Sequence, residues 1–205
     1  MRLGILGGTF NPPHLGHLIC AQEAHLQLEL DRVLLIPPRL PPHKTVEDEP
    51  GPEHRLELCR AAVGKDPRLQ VCALEVEREG SSYTVDTLEE LHLQAPDNDL
   101  FFIVGADAAA GLPGWREPER MLSLATLAVA RRRGTSRSSV HEALGELRGA
   151  ERTRFFKMPC IALSSTLIRS RVRTGQPITY LVPPAVERYI NEHGLYRPNG
   201  GPVPT

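Results

Sequence analysis

Short apolar runs alternate with longer stretches of helical spacing along most of this 205-residue chain. The apolar runs are bounded by turn residues and predict strands at Leu3–Leu6, Val33–Ile36, Leu69–Leu74, Leu100–Val104, Leu124–Ala130 and Phe155–Met158. The helical spacing predicts helices at Leu18–Leu30, Glu53–Val63, Thr84–Leu93, Thr166–Arg173 and Pro184–Glu192. Strands that alternate with helices are typical of a parallel sheet covered on both faces. The pattern therefore predicts an α/β fold, a doubly wound parallel sheet with helices on both faces and a small C-terminal helical extension.

Two irregular segments and a tail interrupt this alternation. Residues 37–52 are rich in proline and predict a long loop, and residues 131–139 predict a second, mobile loop. Long loops at the active edge of a compact domain are often functional. The length suits one well-buried domain, so we expect a single domain over residues 1–197, with a C-terminal helical part from about residue 164. Residues 198–205 are expected to form a flexible tail.

The composition narrows the class of protein. No apolar run approaches the length of a bilayer span, and Met1 and Arg2 lead directly into a strand rather than into a signal peptide. The four cysteines are scattered without Cys-x-x-Cys spacing, which is typical of a reducing compartment. We therefore expect a cytoplasmic protein with no membrane partner.

The net charge of −1 hides an uneven distribution along the chain. Residues 1–130 hold 11 Lys/Arg against 20 Asp/Glu, whereas residues 131–173 hold 11 against 3. A basic segment of this kind can bind nucleic acid, supply arginines to a small polyanionic ligand, or form an ordinary solvated basic surface. The segment lacks interleaved aromatic residues for base stacking, since Phe155 and Phe156 are adjacent and belong to a candidate strand. We therefore expect no nucleic-acid partner.

The turn after the first candidate strand, Gly7–His17, carries the strongest chemical signal. Its glycines allow the backbone to pass close to a ligand, and the N–H groups of a starting helix attract anions. His14 and His17 are three residues apart, so they share a face on a first helical turn and can donate hydrogen bonds to phosphate. Gly16 lies between them and has no side chain to obstruct an oxygen. There are two alternatives. The glycines could simply turn the chain, or the histidines could belong to a zinc site, which needs further ligands that the cysteine spacing does not provide.

A second candidate helix start lies at Leu163–Arg169. A serine or threonine before an apolar-periodic segment caps a helix, and the exposed N–H groups there favour an anion. Arg169 follows Ser165 by one helical turn, so its planar guanidinium can reach the same anion. An ordinary capped helix with a solvated arginine is the alternative.

Three further features lie in the middle of the chain. Asp107 follows the strand Leu100–Val104, where a carboxylate often binds a ribose or caps the next helix. Trp115, the only tryptophan, lies in a Pro- and Gly-rich turn, either as a half-buried anchor or as a stacking platform. Residues 81–87 offer hydroxyls and a capped helix start. The Gly-x-Ser-x-Gly elbow and the Walker pattern are both absent from the sequence.

The two end motifs, Gly-Gly-Thr-Phe-Asn-Pro-Pro-His-Leu-Gly-His and Ser-Ser-Thr-Leu-Ile-Arg, make the chain resemble the nucleotidyltransferase superfamily of His-x-Gly-His enzymes. It is most similar to the bacterial nicotinate-nucleotide adenylyltransferases, from residue 2 to about residue 196. The resemblance includes Pro41–Lys44, Ser82–Thr87, Gly105–Asp107, Trp115 and Arg131–Arg132. It implies a Rossmann-like domain that converts ATP and nicotinate mononucleotide into nicotinate adenine dinucleotide and pyrophosphate. The nicotinamide and phosphopantetheine adenylyltransferases are the alternatives within the superfamily.

The resemblance also implies roles for particular residues. His14, His17 and Arg169 would act in catalysis, the two histidines as charge-stabilising donors. ATP would contact Gly8, Thr9, Phe10, Gly16, Gly105, Asp107, Arg132, Ser165 and Thr166. The mononucleotide would contact Lys44, Tyr83, Thr84 and Trp115, with Trp115 stacked on the pyridine ring. Mg²⁺ would accompany ATP without a metal site made by the protein, and the enzyme would be a monomer or homodimer.

Overall fold

A computed structural model describes residues 1–41, 48–131 and 137–198. Within these ranges, six strands form one sheet: β1 Arg2–Gly7, β2 Arg32–Ile36, β3 Leu69–Val71, β4 Asp99–Gly105, β5 Ala125–Arg131 and β6 Arg154–Lys157. All neighbouring strands are parallel, and their order is β3-β2-β1-β4-β5-β6. This order is that of a Rossmann-like doubly wound sheet, so the predicted fold class is confirmed.

The described residues contain nine α-helices, whose bounds are α1 Leu15–Gln27, α2 Pro52–Val63, α3 Leu74–Glu77, α4 Thr84–Gln94, α5 Ala106–Ala110, α6 Pro118–Leu124, α7 Arg137–Leu144, α8 Ser165–Arg173 and α9 Pro184–Glu192. The sequence pattern missed α3 and α5–α7, because helices of four to eight residues leave too few turns for a periodic signal.

Several predicted boundaries were wrong. The strand predicted to reach Leu74 ends at Val71, because Leu74 begins α3. Leu124 ends α6 and does not belong to β5. The first helix begins at Leu15, three residues earlier than predicted, and ends at Gln27. The second predicted loop is also shorter, because residues 137–139 form the first turn of α7.

Both faces of the sheet are buried, as expected for parallel strands that alternate with helices along the chain. Phe102 and its same-face neighbours pack with α4, α5, α6 and α7 in one core cluster. Phe101 and Ile103, on the opposite face, pack with α1 and α2 in a second cluster. The two clusters make a three-layer domain with the sheet in the middle.

The C-terminal helices pack against one edge of this domain through a third cluster. Ile168 of α8 and Ile190 of α9 are completely buried together with Leu58 of α2. The predicted C-terminal helical extension is therefore fixed to α2 by an apolar core of its own.

The strand order reverses direction between β1 and β4, which are neighbours in the sheet. In open parallel sheets, ligands bind beyond the carboxyl ends of the strands at such a reversal. The Gly7–His17 turn follows β1 and Gly105–Asp107 follows β4, so both candidate segments lie at this point.

Candidate active site

A cleft of about 1030 Å³ opens at the carboxyl ends of β1 and β4. The following predicted site residues line it: Gly8, Thr9, Phe10, His14, Gly16, His17, Tyr83, Thr84, Gly105, Asp107, Trp115, Ser165, Thr166 and Arg169. The other two, Lys44 and Arg132, lie outside the described residues. The fold thus brings residues from the two ends and the middle of the chain around one cavity, while the role of each stays a prediction.

The two histidines form a stacked pair at the start of α1. Their ring centroids are 3.8 Å apart with an interplanar angle of 24°. The backbone N–H of His14 donates to Nδ1 of His17 at 3.2 Å. Because Nδ1 accepts this hydrogen bond, a neutral His17 ring carries its proton on Nε2, and an N–H donor of this kind suits a phosphate oxygen. His14 is the N-cap residue, with extended backbone, so the prediction that both lie within the first helical turn was wrong by one position.

Two small positions shape this part of the site. A Cβ on Gly16 would lie 3.0 Å from Cε1 and from Nδ1 of the His14 ring. A Cβ on Gly8 would lie 3.1 Å from the ring of Phe10, which is buried and has a φ of 48°. Phe10 in turn contacts His17 edge-on, with centroids 5.1 Å apart. A side chain at position 16 would therefore press against the His14 ring, which would have to move by a few tenths of an ångström to make room.

The second helix start, at α8, faces the same cleft. Its N-cap is Ser164, whose hydroxyl accepts from the N–H of Leu167 at 3.2 Å, so the helix predicted to begin at Thr166 begins one residue earlier, at Ser165. The hydroxyl of Ser165 donates instead to the carbonyl of Pro12 at 2.8 Å. Its proton is therefore used within the protein, and the first backbone N–H groups of α8 are the donors left for an anion.

Arg169 connects the two helix starts. Its Nη1 donates to the carbonyl of Asn11 at 2.9 Å, and its Nε lies 3.7 Å from Oδ2 of Asp48. Arg173 of the same helix also pairs with Asp48. The side chain of Arg169 is only 12% exposed, so its charge is held at the cleft in a fixed position. Nothing in the sequence pattern predicts the Asp48 contact, because Asp48 lies within the predicted loop 37–52, more than 100 residues before Arg169.

Arg55 and Tyr196 are buried supports of the Gly7–His17 turn that the sequence interpretation missed. Arg55, in α2, donates to the carbonyl of Thr9 at 3.3 Å and pairs with Glu49 at 2.6 Å. The Tyr196 hydroxyl donates to Oδ1 of Asn11 at 2.7 Å. One signal was available for Arg55, since it precedes the buried Cys59 by four residues and therefore lies on the buried face of α2.

The opposite end of the cleft is aromatic. Trp115 is half-buried and contacts Phe102 of β4 edge-on, with centroids 6.0 Å apart. Tyr83 is the N-cap of α4, whose first residue is Thr84. Asp107 is the second residue of α5 and is exposed, whereas Gly105 is the N-cap, so the capping alternative for Asp107 was wrong.

A buried carboxylate, Glu75, also lines the cleft near Tyr83. The hydroxyl of Thr87 donates to its Oε1 at 2.6 Å, and Arg78 donates to Thr87 at 2.8 Å. Burial raises the pKa of Glu75 above its ordinary value, although the Thr87 hydrogen bond and the Arg78 charge oppose that shift. The sequence interpretation did not single out this residue.

Two kinds of feature are absent from the described residues. In residues 1–41, 48–131 and 137–198, no group of three or more His, Cys, Asp or Glu side chains lies close enough to hold a metal ion. No helix in the described part of the chain is long and apolar enough to cross a membrane.

Comparison with known proteins identifies the family to which this chain belongs. The chain belongs to the cytidylyltransferase-like family, whose model matches residues 5–171. It is 46% identical to a probable nicotinate-nucleotide adenylyltransferase from Roseiflexus sp. and 40% identical to one from Bacillus pumilus, over 95% of this chain and 98% of each relative. These matches identify the chain as a member of the nicotinate-nucleotide adenylyltransferase group.

The fold is also found in solved structures. The nicotinic acid mononucleotide adenylyltransferase of Plasmodium falciparum complexed with NaAD superposes with a TM-score of 0.72 at 16% identity, over 95% of this chain and 97% of that one. The same enzyme complexed with APC gives a TM-score of 0.71. At this identity the likeness concerns the fold.

Proposed function

We propose that this protein transfers the adenylyl group of ATP to nicotinate mononucleotide, giving nicotinate adenine dinucleotide and pyrophosphate. The names of its relatives, at about 40% identity over nearly the whole chain, support this activity. The observation that carries it is the joining of two helix starts around one cleft. Ser165 bonds to Pro12 and Arg169 to Asn11, so the two anion-binding ends are held at a fixed separation.

The reaction is a displacement at the α-phosphorus of ATP. An oxygen of the mononucleotide phosphate forms the new bond to that phosphorus, and the bond to the bridging oxygen breaks, so pyrophosphate leaves with the electron pair. A phosphate monoester has a second pKa of about 6 and is already ionised at neutral pH. The enzyme therefore needs no general base, and the cleft contributes by aligning the phosphates and stabilising their charge.

The charge that develops on the phosphates is matched by donors at the two helix starts. His17 Nε2 and the first N–H groups of α1 would donate hydrogen bonds to the α-phosphate, because they lie at the end of the glycine turn that follows β1. The N–H groups of Ser165 and Thr166, with the guanidinium of Arg169, would bind the β- and γ-phosphates. We propose that Lys44 and Arg132, which lie outside the described residues, contribute further positive charge.

The other substrate would occupy the aromatic end. Trp115 offers a half-buried ring face for stacking on the pyridine, and the start of α4 at Tyr83 and Thr84 offers N–H groups to its carboxylate. Gly105 ends β4 and Asp107 follows it, and the hydroxyl groups of the adenosine ribose would donate hydrogen bonds to the Asp107 carboxylate there. In this arrangement the mononucleotide phosphate would meet the α-phosphate at the start of α1, and the departing pyrophosphate would lie toward the start of α8.

Mg²⁺ would enter with ATP. The side chains at the phosphate end are imidazole, guanidinium and hydroxyl groups, which bind phosphate oxygens, whereas Mg²⁺ prefers carboxylates, water and phosphate oxygens. We therefore propose that the phosphates of ATP hold the ion. When bound, it neutralises charge on the departing pyrophosphate.

Labelled ATP tests the proposed chemistry. With nicotinate mononucleotide as acceptor, label in the α-phosphate should appear in the dinucleotide, and label in the γ-phosphate should appear in pyrophosphate. Transfer of γ-label to the mononucleotide would mean that the protein is a kinase and would refute the proposal.

A further inference from the structure

Arg116 follows the predicted ring platform Trp115 and lines the same cleft. Its guanidinium lies over the ring of Tyr83, with the central carbon 4.8 Å from the ring centroid. This cation–π contact holds the positive charge at the start of α4, although half of the side chain is exposed. The sequence interpretation did not single out this residue, because a lone arginine in a turn carries no motif.

Two carboxylates contact the guanidinium, but both are at the outer limit of hydrogen bonding. Nη1 lies 3.5 Å from Oδ2 of Asp86, and Nε lies 3.5 Å from Oε1 of Glu117. A guanidinium has five N–H donors, and these contacts engage two of its three nitrogens. Asp86 and Glu117 therefore orient Arg116 and leave it with donors for a further anion.

The arginines of the cleft lie at its opposite ends. Among the described residues that line the cleft there are two, Arg169 and Arg116. Arg169 is bonded to the Gly7–His17 turn through the carbonyl of Asn11, at the phosphate end. Arg116 stacks on Tyr83, at the aromatic end, where the proposed substrate carries its pyridine ring. A cation at that end matches a second negative charge on the ligand, separate from its phosphates.

We propose that Arg116 is a specificity-determining residue whose guanidinium pairs with the ring carboxylate of the acid mononucleotide. This inference rests on the proposed function, and it concerns the side chain rather than the backbone donors of α4. The carboxylate carries a charge that the carboxamide lacks, so a guanidinium favours the acid and leaves the amide with a weaker, uncharged partner. Because Arg116 is half exposed, dissolved salt screens its charge, so the preference for the acid mononucleotide should weaken as the salt concentration rises.

Arg120 provides a matched control. It lies four residues further along the chain, in α6, and pairs with Glu89 of α4 at 2.8 Å, as Arg116 pairs with Asp86. Both arginine side chains are 50% exposed, but Arg120 does not line the cleft. Arg116→Gln and Arg120→Gln therefore remove the same charge from neighbouring positions, and only the first changes the proposed carboxylate site.

The test measures the ratio of kcat/KM for nicotinate mononucleotide to that for nicotinamide mononucleotide. Arg116→Gln should lower this ratio by about tenfold, and Arg120→Gln should leave it unchanged. The Kd of the acid mononucleotide should rise by the same factor in Arg116→Gln. Quenching of the fluorescence of Trp115, the only tryptophan in the chain, measures this Kd. Raising the salt concentration should lower the ratio in the wild type and in Arg120→Gln but not in Arg116→Gln.

An unchanged ratio in Arg116→Gln, or an equal fall in both variants, would overturn the proposal. Arg116→Lys guards against a purely structural effect: it keeps the charge, so it should retain most of the preference for the acid. A lysine variant as unselective as Arg116→Gln would also overturn it. If the wild type used neither mononucleotide, the proposed function itself would fail, which is a different result from an active enzyme whose selectivity does not depend on Arg116.

Discussion

The hydroxyl of Tyr196 donates a 2.7 Å hydrogen bond to Oδ1 of Asn11, a residue 185 positions earlier in the chain. Both side chains are buried, and burial raises the pKa of the tyrosine above its ordinary value. Asn11 lies in the turn that carries the histidine pair, and its carbonyl accepts from Arg169. The end of the described chain therefore takes part in building the proposed phosphate site.

Tyr196→Phe should destabilise the protein by about 1–3 kcal/mol, because it leaves the buried Oδ1 of Asn11 without this donor. Thermal or denaturant unfolding measures the loss. Tyr180→Phe is the control, since Tyr180 is 87% exposed and should change stability little. Equal stability of the two variants would contradict a structural role for the Tyr196–Asn11 bond.

Gly16→Ala should lower kcat by as much as about 100-fold while the protein stays folded, because the new methyl group displaces the His14 ring. Steady-state kinetics beside a circular dichroism spectrum measures this. Gly114→Ala is the control, because a Cβ there meets nothing within 4 Å and Gly114 does not line the cleft. Normal turnover by Gly16→Ala would show that the position of His14 is unimportant.

His17→Ala should reduce kcat by about 10²- to 10³-fold, the effect of removing a donor aimed at developing charge. Turnover is measured with saturating ATP and mononucleotide. His25→Ala, on the same helix but away from the cleft, should retain nearly full activity. Near-normal turnover in His17→Ala would exclude the donor role that the Nδ1 hydrogen bond assigns to Nε2.

Glu75 should make stability depend on pH. Because its pKa is raised in the folded protein, its contribution to stability is fully present below the ordinary value of 4.5 and is lost as the pH rises through the folded pKa. Glu75→Gln removes this loss, so the stability of the variant relative to the wild type should increase as the pH rises from about 4.5. Denaturant unfolding across that range measures the difference.

Glu77→Gln, at an exposed position of the same helix, is the control for the Glu75 measurement. A stability difference between Glu75→Gln and the wild type that falls with rising pH would contradict the sign of the shift.

Much of the site could be predicted because phosphate binding uses local features. The strand, glycine turn and helix start of Gly7–His17 are consecutive in the sequence, and so is the start of α8. The parallel sheet then brings such segments to one edge by its topology. This explains why the described candidate residues from both ends of the chain line one cleft, although neither motif by itself predicts that the other lies beside it.

The supports of the site could not be predicted because they depend on distant pairs. Nothing local to Tyr196 points to Asn11, and nothing local to Asp48 points to Arg169. Arg55 is almost completely buried, whereas arginines usually lie at the surface, so its charge alone would predict an exposed position. Arg116 acquires its position only when the turn after α5 meets the start of α4. In each case the fold, rather than the local pattern, gives the residue its partners.

The most direct test of the central claim is pyrophosphate release from ATP with a panel of acceptors: nicotinate mononucleotide, nicotinamide mononucleotide and phosphopantetheine. We expect the highest kcat/KM with the acid mononucleotide, by about tenfold or more over the amide, and no release with phosphopantetheine. An equal or higher kcat/KM with the amide, or turnover of phosphopantetheine alone, would contradict the account.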